Sequence, residues 1–124
     1  MDQPSIKELV DAVREFLETR AMPELKGHTA FHARVATNAL AIVSRQLEQG
    51  EASAQEELTR LRALLGTDGT LDGLNRELCK RIRDGKLTVQ TPGLVAHLEK
   101  TTRDKIAIDQ PGYSGFKIAQ EREG

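Results

Sequence analysis

The stretch Phe31-His-Ala-Arg-Val-Ala-Thr-Asn-Ala-Leu-Ala-Ile-Val43 decides the fold. Phe31, Val35, Ala39 and Ile42 form one row at helical spacing, and Ala36, Ala39, Leu40, Val43 and Leu47 form the next. Together they make an apolar arc wide enough to be packed from two sides, the pattern of a central helix. Thr29 is its expected cap and Gly50 its expected left-handed stop, so the helix should run to about Glu48. His32, Arg34 and Asn38 interrupt the arc and are the first places to look for chemistry.

Upstream, Ser5 followed by Glu8 is a capping-box pattern that opens an amphipathic helix. Ile6, Leu9, Val10, Val13, Phe16 and Leu17 form its apolar stripe, which fades near Arg20. Pro23 and Gly27 punctuate a connector. Downstream, Ser53 and Glu56 repeat the capping box, and Leu58, Leu61, Leu64 and Leu65 predict a third helix ending at Gly66. A fourth follows from Leu71 through Leu74, Leu78 and Ile82 to Gly85, and residues 86–90 read as an extended connector. Thr91 and Pro92 are the expected cap and first-turn proline of a fifth helix that Pro111 ends. The expectation is therefore an all-α protein, a single up-and-down bundle of about five helices over residues 4–111. A C-terminal tail over 112–124 carries Tyr113, Phe116 and Ile118.

Composition narrows the function classes. Aromatic residues make up 3% of the chain and Trp is absent, so the core must be aliphatic, which suits closely packed helices. A net charge of -1 supplies no global field for nucleic acid or an anionic membrane. A helix-turn-helix reader is disfavoured as well, because the would-be recognition helix opens Thr70-Leu-Asp-Gly73, with an acid facing the phosphates. No run approaches the roughly 20 apolar residues of a membrane span, and the N-terminus does not read as a signal peptide. Cys79 is the lone cysteine, which excludes an internal disulfide and a thiolate zinc cluster and fits a cytoplasmic setting.

Candidate sites are few. His28 and His32 are four apart and would share a helix face, but two imidazoles make an incomplete metal set, and no metal or other cofactor is expected. Asn38 and Asn75 both fall on or beside core-facing stripes, where an unpaired amide costs about 1–3 kcal/mol. Each therefore needs a partner: the other asparagine, a helix-end carbonyl, Arg34 or a ligand. His32, Arg34, Asn38 and Asn75 are the candidate ligand-binding residues. Arg76, Lys80 and Arg83 share one face of the fourth helix and form a candidate basic patch for a phosphate or an acidic partner. No phosphate loop, nucleophile elbow or paired carboxylates occur, so no residue is assigned a catalytic role.

Four separated pieces carry a resemblance: LVDAVREFLE (9–18), FHARVATNALAIVSRQLEQG (31–50), LNRELCKRIRDGKL (74–87) and HLEKTTRDKIAIDQPGY (97–113). The chain resembles an uncharacterised family of small helical bacterial domains associated with aminoglycoside-phosphotransferase-like kinases and acyl-CoA dehydrogenases. The resemblance implies a non-enzymatic accessory or interaction domain working with such a kinase, or with an acyl-CoA dehydrogenase, in acyl-CoA metabolism. The alternative is a small-molecule protein that holds an anionic ligand or a CoA thioester in a polar pocket between the central and fourth helices. Self-association into a homo-oligomer is open to either reading.

Overall fold

The computed structural model describes residues 3–113 and 121 and is all-α, with no strand among them. The sequence predicts about five helices; among the described residues the structure resolves four α-helical elements. They are α1 (Ile6–Phe16), α2 (Gly27–Leu65), α3 (Leu71–Arg83) and α4 (Leu94–Asp109). Of the expected tail, residues 114–120 and 122–124, with Phe116 and Ile118, lie outside the described residues.

The difference in count arises at Gly50. It does not take the left-handed conformation, which is confined to Gly27, Gly66, Gly85 and Gly93 among the described residues, and the expected second and third helices are one continuous α2. A glycine inside a helix costs about 1 kcal/mol relative to alanine, too little to break one flanked by good helix formers such as Gln46, Leu47, Glu51 and Ala52. The Gln46 side-chain amide folds into the space that a β-carbon of residue 50 would take.

The chain divides into two compact units at Gly50. In the first, the Ser5 capping box closes as expected: Glu8 N–H donates to Ser5 Oγ at 3.1 Å and Ser5 N–H to the Glu8 carboxylate at 3.2 Å. A π turn (Leu17–Ala21) and a 3₁₀ turn (Met22–Glu24) then reverse the chain into α2. A side-chain hydrogen bond joins the antiparallel helices of this hairpin: Ser44 Oγ donates to Asp11 at 2.6 Å, while Thr37 Oγ1 donates to the Ala33 carbonyl at 2.9 Å within α2 and lies 3.7 Å from Met22 Sδ. At the seam of this hairpin Thr37 and Ser44 are buried, Ala30, Ala33 and Ala41 lie on the same side of α2 by helical periodicity, and Val10, Leu17 and Leu40 are half-buried. No apolar side chain among the described residues of this unit is buried.

The second unit has a leucine core, in which Leu61 and Leu65 of α2, Leu74 and Leu78 of α3, Leu87 and Leu94 pack together. Thr70 caps α3, its hydroxyl accepting from Gly73 N–H at 3.0 Å. The α4 helix begins at Leu94, two residues beyond the expected proline start, because Gly93 turns left-handed (φ 85°). Thr91 Oγ1 instead accepts from Thr88 N–H at 2.9 Å and closes the connector as a turn. At the end of α2, Arg81 donates to the Leu65 carbonyl at 2.9 Å, satisfying one of the acceptors that a helix terminus leaves open.

Candidate functional site

The leucine face of α2 brings polar residues inward beside it. Glu57 and Arg60 flank Leu58 and Leu61, and they meet α3 and α4 through Asn75, His97 and Thr101. Glu57 is 8% exposed and His97 2%. Arg60 Nε donates to His97 Nδ1 at 2.9 Å, and the same guanidinium donates to Thr101 Oγ1 at 2.9 Å. Asn75 Nδ2 donates to the Glu57 carboxylate at 3.0 Å. Since guanidinium is donor only, His97 must be the tautomer with its proton on Nε2. Burial first, and the Arg60 charge second, hold the imidazole below its usual pKa, with Glu57 opposing more weakly. The ring is therefore neutral at pH 7.

Two separate sets of bonds thus tie α2 to its neighbours, Glu57 to α3 through Asn75 and Arg60 to α4 through His97 and Thr101. They place no nucleophile beside a base. Among the described residues no group of three potential metal ligands comes together.

The candidate residues of the sequence fall in two places. His32, Arg34 and Asn38 are exposed on the first half of α2, where the Phe31 and His32 rings meet edge to face at 5.5 Å. Asn75 is half-buried in the second unit, and its partner Glu57 is none of the four expected. One face of α3 forms a shallow depression lined by Asp72, Asn75, Arg76, Cys79 and Arg83, which joins a candidate ligand residue to two members of the basic patch. Arg76 is paired with Asp72 at 3.2 Å and Lys80 with Asp84 at 2.9 Å, so much of the patch's charge is balanced on its own helix. These pairs are exposed and contribute little to stability. Cys79 is exposed at the same depression.

Sequence reasoning did not bring Glu57, Arg60, His97 and Thr101 together. The available signal was the position of Glu57, Arg60 and His97 within one turn of leucines at 58, 61, 94 and 98.

The architecture defines an all-α protein whose second unit is built on a leucine core and whose first is a helical hairpin with exposed apolar residues; among the described residues no helix is long and apolar enough to cross a membrane. More particularly, residues 23–113 match the model of the DUF6285 domain of unknown function, and the chain belongs to that family. No curated protein and no solved structure matches it.

Proposed function

We propose that the protein is a non-enzymatic helical interaction module. The observation that carries this reading is the apolar surface of the first unit. Ile6, Leu9, Val13 and Phe16 of α1 are 50–68% exposed, and Phe31 and Val35 of α2 are 56% and 50% exposed. The α1 row at helical spacing leaves one side of that helix apolar and exposed, the mark of an association site. The resemblance to domains associated with phosphotransferase-like kinases and acyl-CoA dehydrogenases supplies the candidate partners, and a bacterial cytoplasmic setting goes with it. Purified kinase-like protein or dehydrogenase encoded beside this chain should co-elute with it and lose it on Val13→Asp. Absence of co-elution with either removes those partners.

A second reading is favoured by the α3 depression, where Asn75, Arg76 and Arg83 converge. It is the binding of an anionic small molecule such as a CoA thioester at this depression. A ligand at 100 times its dissociation constant adds about 2.7 kcal/mol to stability. A thermal-shift series with CoA thioesters and nucleotides, repeated on Arg83→Ala, tests it, and unchanged melting in all of them removes those ligand classes.

A further inference from the structure

Arg60 carries a charge that its surroundings hold in place without cancelling. One edge of its guanidinium is spent on the interior, where Nε donates to His97 Nδ1 and Nη2 to Thr101 Oγ1, each at 2.9 Å. His97 and Thr101 are one turn apart on α4, so the two acceptors fix the plane of the fork as well as its position. Both acceptors are neutral. Among the described residues no carboxylate comes within ion-pair distance of Arg60: Glu57 accepts from Asn75, and Glu56 stands 3.9 Å from Lys100, which is itself paired with Asp104 at 2.8 Å.

A guanidinium is a rigid, planar fork of N–H donors. With the Nε side taken by α4, the parallel N–H groups of Nη1 and Nη2 at the far end remain, the edge that grips both oxygens of a carboxylate. Nη1 has no partner among the described residues and is not enclosed, so this edge opens to solvent. It does so beside a shallow depression that Arg60 lines together with Gln55, Glu56 and Thr59, one strip of α2.

We propose that this depression binds a small carboxylate, its two oxygens taken by the free edge of Arg60, with His97 and Thr101 as positioning residues. The site shares no lining residue with the α3 depression and is independent of both readings above. Shape and charge select the ligand. The planar fork matches a planar carboxylate. The cation is single and the Glu56 carboxylate lies in the same lining, so a monoanion is opposed less than a phosphate dianion. The lining is mostly carbon, and the Thr59 hydroxyl proton is already committed to the Gln55 carbonyl at 3.0 Å, which suits a short alkyl body.

His97 is the natural reporter. Burial, and then the Arg60 charge, hold its imidazole below the usual pKa, with Glu57 opposing. A carboxylate seated on Arg60 offsets that charge and should raise the His97 pKa; by linkage, the ligand should bind more tightly as pH falls. The experiment is an NMR pH titration of the His97 ring in the full chain, in sodium butyrate and in sodium chloride of equal ionic strength. The expected result is an upward shift that saturates with butyrate and is absent in chloride. Glu56→Gln removes the opposing charge and should tighten butyrate binding about threefold or more, while Gln55→Glu adds one and should weaken it as much. Both positions are exposed, so neither variant disturbs the interior. Arg60→Lys keeps the charge without the fork and should lose the saturable shift; if it does not fold, the two charge variants still decide. No saturable shift in butyrate, an equal shift in chloride, or a butyrate affinity that neither charge variant moves overturns the site and leaves Arg60 a structural residue. A larger response to inorganic phosphate than to butyrate overturns the assignment to a carboxylate.

Discussion

His97 has its imidazole in the interior with a guanidinium donating to it, and that geometry is compatible only with the neutral ring. Its pKa is lower folded than unfolded, so the unfolded chain binds a proton that the native one refuses. Stability from this residue is fully present above its ordinary pKa near 6.5 and declines as pH falls below it. The limiting slope is about 1.4 kcal/mol per pH unit for one proton. His97→Gln, which keeps an acceptor for Arg60 and abolishes titration, should flatten the melting temperature between pH 7 and 5.5 relative to wild type. Asn75→Ala leaves the buried Glu57 carboxylate without its amide donor and should cost about 1–3 kcal/mol in urea denaturation. Asn75 was legible in the sequence as a polar group on a leucine stripe. Its partner was not, because Glu57 lies eighteen residues earlier, in an acidic first turn that the sequence assigns to the opening of a separate helix.

At the scale of elements, amphipathic periodicity and capping chemistry identified α1, α3 and α4, and the Ser5 box was readable to the residue. Periodicity failed where two local signals agreed on a wrong stop. Gly50 and the Ser53 to Glu56 pair each resemble a helix boundary, yet a glycine has no conformational obligation to leave the α region, and continuing the helix satisfies its backbone amides without a cap. Gly50→Ala tests this directly. The new β-carbon displaces only the flexible end of Gln46, and the helix gains alanine's propensity, so chemical denaturation should show up to about 1 kcal/mol of added stability. A loss of several kcal/mol would mean that residue 50 is not helical. The sequence also showed the width of the apolar arc on α2 but not which part of it is covered. Thr37 and Ser44 are buried on the side that meets α1, while Phe31, Val35, Ile42, Val43 and Leu47 stay exposed.

At the scale of the molecule, the two units differ in what holds them. The second has a leucine core sealed by the Arg60 network, while the first buries Thr37 and Ser44 at its seam and leaves large apolar residues on the surface. Hydrogen exchange should separate them: α1 amides should exchange faster than those of α3 and α4. Equal protection of all three helices would mean that the leucine core does not set local stability. Cys79 opens the second unit to a direct measurement. Because the chain has one thiol and it is exposed at the α3 depression, a single fluorophore can be attached there without mutagenesis. A change in the dye's own emission on adding a CoA thioester would report occupancy beside Arg76 and Arg83. One native sulfur atom thus gives the proposed α3 ligand site an optical readout.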